Sequence, residues 1–284
     1  MVQRLLSHLH WRQLFSVALA LLAVVVGVGA YRVATQDRMV FIGTTGTAEA
    51  PQDPSGFSGA TNPVPASASP NATATTRPAR TDVKAVFFGD AIVAGSNTGM
   101  GNPIFTQVAS QLLNWQHIDF GFPGSGFTTA GNFKGGRDYL ARLQQLRGYN
   151  IDVLFIEGGL NDSAATNEQL QAKVQAVLTS AKRLLPSATI VLMGPYASSG
   201  EPSTATVRVN AALRALASTS GIPYIDPISE QWITGTYPTS GTAAQYISTD
   251  GQYPNTKGHA YFGTRIAEDL RRLLPPRLLP ARTP

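Results

Sequence analysis

Cysteine is missing from this chain of 284 residues. A protein without thiols has no disulfide framework, no thiolate metal site and no cysteine nucleophile, so these three kinds of chemistry are excluded together. Hydrophobic residues make up 43% of the chain, a normal share for a globular protein with a full core. The length leaves room for one domain of about 200 residues and additional segments.

A basic face is also missing, although the net charge is +5. The first 80 residues carry six Lys or Arg against three Asp or Glu, and the rest of the chain carries sixteen against fourteen. Four of those sixteen lie close to the C-terminus: Arg271, Arg272, Arg277 and Arg282. They are typical of a solvated helix end and tail. No basic surface remains to follow a phosphate backbone, so we expect no nucleic-acid partner.

One long uncharged run stands near the N-terminus, over residues 14–31, with Trp11 and Tyr31 at its ends. Its length is close to the ~20 residues that a helix needs to cross a membrane, and aromatic residues favour the interface. We predict a short cytoplasmic segment (1–13), a transmembrane signal-anchor (14–34) and a domain exported to the periplasmic or cell-wall side. The alternative is a signal peptide cleaved after Val28-Gly29-Ala30.

A segment rich in Thr, Ala, Ser, Pro and Gly follows over residues 35–81. It holds few large apolar residues and shows no sustained period. Such a segment cannot bury enough surface to offset the entropy of ordering it. We therefore predict a disordered tether between the membrane and a domain over residues 82–274, with a tail over 275–284.

Short apolar runs alternate with helical patterns from residue 82 onward, which is typical of a parallel sheet covered on both faces. The helical spacing i, i+3, i+4 is clearest around Leu170, Val174 and Val177. The predicted strands are 83–88, 118–122, 151–156, 189–193 and 223–225, and the predicted helices are 103–114, 137–147, 167–185, 204–218 and 258–274.

Four polar or glycine-rich segments come at strand ends or before the last helix. They are Gly89-Asp90-Ala91, then Gly124-Ser125-Gly126, then Gly159-Leu160-Asn161-Asp162, and finally Asp250-Gly251-Gln252-Tyr253-Pro254. In parallel sheets ligands bind beyond the carboxyl ends of the strands. The four segments therefore predict one functional site at that edge.

In order and context these segments resemble the SGNH (GDSL-type) hydrolase superfamily, over essentially all of residues 82–274. The resemblance implies a flavodoxin-like three-layer α/β/α sandwich with a five-stranded parallel sheet. It also implies an oxyanion hole formed by Gly124, the Asn161 amide and the backbone N–H of residue 91. Asp250 matches the aspartate of the family's last block.

Two positions depart from the family's pattern. Ala91 stands where the family has its serine nucleophile, and Tyr253 stands where it has its histidine base. Alanine has no hydroxyl, and a phenol that titrates near ~10 is no general base at neutral pH. Loss of either partner in such a site costs on the order of 10⁶-fold in kcat. The expected set of Ala91, Asp250 and Tyr253 is therefore inert for the family reaction.

Other serine and histidine residues could replace the missing nucleophile and base, but no motif spacing points to them. Ser96 and Ser125 are hydroxyls in glycine-rich turns, and His259 lies six residues after Tyr253. We interpret His259 as a packing or capping residue and His117 as a surface residue, with a shifted site of Ser96 or Ser125 and His259 as the alternative. No metal-ligand spacing or cofactor motif is present.

Three functions are compatible with this pattern. The first is a non-catalytic binding or accessory protein that recognises an acyl, acetyl or carboxylate group on an envelope glycan or lipid, or that docks a partner enzyme. The second is an active esterase or acyltransferase that uses substituted residues. The third is a structural envelope assembly factor. We favour the first, because the oxyanion-binding half of the site persists while the reactive half is absent.

Overall fold

The structure is a computed structural model that describes residues 82–99, 101–131 and 134–280. The predicted signal-anchor and tether lie outside these residues. The strands are β1 (Lys84–Gly89), β2 (Gln116–Gly121), β3 (Val153–Glu157), β4 (Thr189–Met193) and β5 (Tyr224–Ile225). The helices are α1 (Phe105–Leu113), α2 (Tyr139–Leu143), α3 (Asn167–Leu184), α4 (Thr204–Thr219), α5 (Gly241–Tyr246) and α6 (Thr256–Leu273).

The five strands form one parallel sheet in the order β2-β1-β3-β4-β5. The inner strands β1 and β3 are almost wholly buried, whereas β2 is an exposed edge strand. Continuous apolar runs such as those of β1 and β3 are typical of parallel strands with both faces covered. The predicted five-stranded α/β/α architecture is confirmed.

Alternate residues of β1 enter two separate cores, because successive side chains of a strand point to opposite faces. Phe87 packs in the core that α1 and α6 cover, and Phe88 packs in the core that α2, α3 and α4 cover. The sheet is therefore the middle of three layers. This leaves the carboxyl ends of the strands and the loops that follow them at one edge, where the predicted site segments lie.

Side-chain caps stabilise the first turns of α3 and α6. Thr166 accepts a hydrogen bond from the Gln169 N–H at the start of α3, and Gln169 completes a capping box. Asn255 accepts from the Gly258 N–H at the start of α6. The cap at Asn255 directly follows the fourth site segment, so it fixes where that loop ends.

Local structure departs from the sequence expectation in three places. The helix predicted over 137–147 is the short α2 followed by a 3₁₀ turn, Gln144–Leu146, and Gly148 ends it with a φ of 84°. Helix α5 was not expected, because its Gly/Thr/Ala sequence is short and lacks an apolar period. The domain also continues beyond residue 274, since Pro276–Leu278 forms a 3₁₀ turn whose Leu278 is 3% exposed.

Within residues 82–280, gaps aside, no helix combines the length and the apolar character that membrane crossing requires. The signal-anchor remains a prediction about residues 14–34.

Candidate functional site

The first site segment lies in the turn that follows β1. Asp90 and Ala91 are each 4% exposed. The Asp90 carboxylate accepts the Ile92 N–H at 3.0 Å, and the Asp90 N–H donates to Oε2 of Glu157 at 3.4 Å. The turn is thus fixed from both sides, and Ala91 is held at the end of the strand.

Two backbone N–H groups at the predicted oxyanion hole are free. Among the described residues, neither the N–H of Ala91 nor the N–H of Gly124 donates a hydrogen bond. Gly124 has a φ of 75°, a left-handed conformation that glycine adopts without strain. An unpaired backbone N–H is a donor from which a ligand oxygen can accept a hydrogen bond.

Asn161 connects three of the site segments. It lies in the 3₁₀ turn Leu160–Asp162 after β3, and its Nδ2 donates to Oδ2 of Asp90 at 2.7 Å and to the carbonyl oxygen of Ser125 at 2.9 Å. A side-chain amide has two N–H hydrogens, and both are used. Contrary to the sequence expectation of an available donor, Asn161 reaches a ligand only by releasing one of these two partners.

Asp162 holds the second segment against the third. Its carboxylate accepts from the N–H and the hydroxyl of Thr128, both at 2.7 Å, and from the Phe127 N–H at 3.2 Å. The approach requires glycine at position 126, where a Cβ would lie 2.7 Å from the carboxylate. Asp162 is therefore a structural anchor of the loop that carries Gly124.

The Asp250 carboxylate is held by donors of its own loop and by Asn97 rather than directed at a partner base. Its Oδ1 accepts from the Ser248 hydroxyl and from the N–H groups of Gln252 and Tyr253, and its Oδ2 accepts from Nδ2 of Asn97. Partial desolvation raises the pKa of Asp250, but these hydrogen bonds outweigh it and hold the pKa below its ordinary value of 3.8. The carboxylate stays ionised.

Tyr253 is half-buried near the carboxyl groups of Asp90, Asp250 and Glu157. Desolvation first, and then the charges of Asp90, Asp250 and Glu157, raise the pKa of the phenol above its ordinary value of 10.0. The phenol is therefore protonated at neutral pH. In that state it is a hydrogen-bond donor and no general base.

A buried acid pair lies beneath Ala91. Glu157, the last residue of β3, is 0% exposed, and its Oε1 has no hydrogen-bond partner among the described residues. Burial and then the Asp90 charge raise the pKa of Glu157 well above 4.5, and burial raises that of Asp90 to about 6. Burial therefore favours a protonated, neutral Glu157 next to Asp90. No local sequence pattern indicated this pair, because Asp90 follows β1 and Glu157 ends β3.

Arg142 of α2 contacts the carboxyl ends of β1 and β2. Its guanidinium donates to the carbonyl oxygens of Gly89 (2.9 Å) and Phe120 and to the Ser125 hydroxyl (2.8 Å). It lies 4.5 Å from the centre of the Phe88 ring. Burial lowers its pKa to about 10, so it remains a cation. Sequence reasoning missed Arg142, because nothing local distinguishes it from a surface arginine of an amphipathic helix.

The alternative nucleophiles and base do not meet as a pair. His259 is 0% exposed, its Nδ1 accepts the Phe105 N–H at 3.3 Å, and its Nε2 lies 3.2 Å from the carbonyl oxygen of Ser96 rather than from its hydroxyl. Burial lowers the pKa of His259 to about 4. Both nitrogens of the His259 ring therefore contact backbone groups and neither contacts a serine hydroxyl. The Ser125 hydroxyl donates to the carbonyl oxygen of Phe122 at 2.7 Å and accepts from Arg142.

The remaining titratable groups show no further constellation. His117 lies in edge strand β2 with 32% of its side chain exposed, 3.8 Å from Asp119. Across residues 82–99, 101–131 and 134–280, no cluster of three or more acidic or histidine side chains could hold a metal ion.

A five-stranded parallel sheet with these four segments at its carboxyl edge defines an α/β fold of the SGNH hydrolase type. The chain belongs to the GDSL-like Lipase/Acylhydrolase family, which matches residues 87–261. It is 28% identical over 100 residues to a GDSL lipase of Mycobacterium tuberculosis, a stretch that covers 35% of this chain and 40% of the relative. The match thus spans less than half of that relative's length.

Solved structures share the fold at low identity. An aryl esterase of M. smegmatis aligns with a TM-score of 0.51 and 19% identity, over 68% of this chain and 100% of the esterase. A carbohydrate acetylesterase of Sinorhizobium meliloti aligns with a TM-score of 0.51 and 16% identity, over 68% of this chain and 100% of that enzyme. These likenesses concern the fold alone.

Proposed function

We propose that this chain is a membrane-anchored, extracytoplasmic member of the family that binds an acyl or acetyl group on an envelope glycan or lipid without hydrolysing it. The observation that carries the proposal is the coexistence of two free N–H groups, at Ala91 and Gly124, with the lack of any hydroxyl at position 91. The donors suit a carbonyl oxygen, and residue 91 supplies no nucleophile to attack its carbon.

The arrangement around the site supports binding over catalysis. In a Ser–His–Asp site the hydroxyl and the base act as a unit. Here the phenol of Tyr253 keeps its proton, Asp250 is occupied by Asn97, and His259 is committed to two backbone groups. Two hydrogen bonds of about 0.7 kcal/mol each, toward the lower end of the usual range, give a preference of roughly tenfold for an ester carbonyl over no ester.

Calorimetric titration of the full-length chain with acetylated xylo-oligosaccharides, and with the same oligosaccharides after alkaline deacetylation, tests the proposal. We expect roughly tenfold tighter binding of the acetylated probe and no release of acetate above the buffer rate. Ala91→Leu, which places a bulky side chain next to the N–H of residue 91, should remove the preference. The matched control, Ala260→Leu on the exposed face of α6, should keep it.

Two other outcomes would overturn the proposal. Hydrolysis of p-nitrophenyl acetate that Ser96→Ala, Ser125→Ala or His259→Ala abolishes would establish an active esterase. Equal binding of both oligosaccharides, or binding of neither, would favour an assembly role in which the site is not used.

A gain-of-function variant tests the assignment of the two substituted positions. The double change Ala91→Ser with Tyr253→His should raise p-nitrophenyl acetate hydrolysis by at least about 100-fold over the parent, since nucleophile and base are effective only together. Each single variant should stay near the parent rate. A double variant at the parent rate would show that residues 91 and 253 are not the nucleophile and base positions of a working site.

A further inference from the structure

A second concave site lies on the same edge of the sheet, beyond β4 and β5. It is a pocket of about 390 Å³ between the loop that follows β4 and the loop that follows β5. Small-molecule sites span roughly 300–1,000 Å³, so this volume accepts one or two sugar rings. The carboxyl edge is also where parallel sheets bind ligands.

The two walls of this pocket are joined backbone to backbone. The Gly200 N–H donates to the carbonyl oxygen of Gly235 at 2.8 Å, and a Cβ at position 200 would lie 2.7 Å from the Gly235 nitrogen. Within the wall that follows β5, the Thr242 hydroxyl accepts the Thr234 N–H at 2.8 Å and donates to the carbonyl oxygen of Trp232 at 3.0 Å. These contacts build the pocket before any ligand arrives, which lowers the entropy cost of binding.

The polar groups of the lining are of two kinds, a single carboxylate and neutral donors or acceptors. Glu201 is the one charged side chain, and Ser199, Gln231, Thr234 and Thr236 supply an amide and hydroxyls. The carboxylate of Glu201 and the amide of Gln231 make no hydrogen bond to any described residue. With a carboxylate and no cation in the lining, an anionic ligand is disfavoured.

Gln231, one of the lining residues, has an uncommon backbone conformation. Its φ of 51° lies in the left-handed region, which costs a non-glycine residue free energy and persists where the surroundings impose it. Its N–H donates to the carbonyl oxygen of Ile228, another lining residue, at 3.1 Å. The apolar part of the lining includes Ile228, Pro202 and Pro227.

We propose that this pocket binds a neutral sugar unit. Glu201 accepts hydrogen bonds from hydroxyl groups, the Gln231 amide both donates and accepts, and the proline and isoleucine surfaces pack against the C–H face of the ring. Ligand sites combine apolar surface with a few placed polar groups in this way.

Tyr196 connects the pocket with the site around Ala91. Its backbone leads directly into the lining at Ala197, and its phenol donates to the carbonyl oxygen of Gln252 at 3.2 Å, next to Tyr253. Tyr196 therefore contacts the loop that carries Tyr253 and directly precedes the pocket lining in the chain. The pocket binds its sugar whether or not an acyl group is recognised, so this inference goes beyond the proposed function.

The test is a titration of the full-length chain, followed by ligand-observed NMR, with glucose, glucosamine and glucuronate, which differ by one substituent each. We expect glucose to bind and Gln231→Ala to weaken it at least about fivefold, through loss of the amide hydrogen bonds. The matched control, Gln171→Ala on the exposed face of α3, should bind as the parent does. Glucuronate should bind at least about fivefold more weakly than glucose, and Glu201→Gln should remove that difference.

The outcomes that overturn the inference are distinct from those that overturn acyl recognition. Glucosamine binding without glucose binding would make the pocket an amine site, and no binding of any of the three, or equal binding to the Gln231→Ala variant, would exclude a sugar site here. Gln231→Ala should weaken the acetylated and deacetylated oligosaccharides by the same factor. Ala91→Leu should affect only the acetylated one.

Discussion

Replacing Glu157 by glutamine should stabilise this protein increasingly as the pH rises. Glu157 is fully buried at the end of β3, and burial together with the Asp90 charge raises its pKa well above 4.5. Glutamine has the same shape and imitates the neutral acid. Its oxygen can accept the Asp90 N–H, and its Nε2 can donate to the Asp90 carboxylate.

The magnitude follows from the linkage between protonation and folding. Above pH 4.5 the unfolded chain releases the Glu157 proton while the native protein keeps it. The native state then binds more protons than the unfolded state, so stability falls as the pH rises from 4.5 toward the folded pKa, by about 1.4 kcal/mol per pH unit. Below pH 4.5 this contribution is fully retained. Glutamine removes the loss, so the variant's advantage should grow by the same slope.

Urea unfolding of the full-length chain at about pH 4, 5, 6 and 7 measures this difference. The parent and Glu157→Gln should have similar free energies of unfolding at the lowest pH and diverge above it. Glu168→Gln, the same change on the exposed first turn of α3, should not reproduce the divergence. A stability difference that does not change with pH, or a variant less stable throughout, would refute a neutral Glu157.

Three further predictions concern the groups around the site. Arg142→Met should lower the free energy of unfolding by roughly 3 kcal/mol or more, because two buried carbonyl oxygens and a hydroxyl lose their donor, whereas Arg147→Met on the surface should change little. Asp162→Ala should cost about 2–4 kcal/mol in the same unfolding assay, through the backbone N–H groups it leaves unpaired. An NMR titration of His259 should give a pKa near 4. The neutral ring contributes stability that is lost, by about 3 kcal/mol in total, as the pH falls from 6.5 to 4, and an ordinary titration near 6.5 would contradict its burial.

Most of the sheet could be predicted from the residues alone. The apolar runs of β1, β3 and β4 are continuous because both faces of a parallel sheet are covered, and this makes them readable without any tertiary information. Helix α5 could not be read in the same way. It is short, and Thr242 at its start is held by Thr234, so its stability comes from contacts between loops rather than from local propensity.

The candidate site was likewise predictable from the sequence only in part. The glycine and asparagine segments were visible because backbone turns and close approaches demand those residue types. What each polar side chain does was not visible. Asn161, expected to donate to a ligand, donates instead to Asp90 and Ser125. Arg142 gave no local signal, since a buried arginine differs from an exposed one only through what surrounds it.

The residues by themselves determined the family of folds and the lack of a hydroxyl at position 91, because strand periodicity and side-chain chemistry are local properties. Only the tertiary structure decided which donors are free. Among the residues that the structure describes, the N–H groups of Ala91 and Gly124 have no partner and the Asn161 amide has two, because the distances between loops that lie far apart in the chain decide the hydrogen-bond partners. For the same reason the acid pair of Asp90 and Glu157 became apparent only once β1 and β3 were placed side by side.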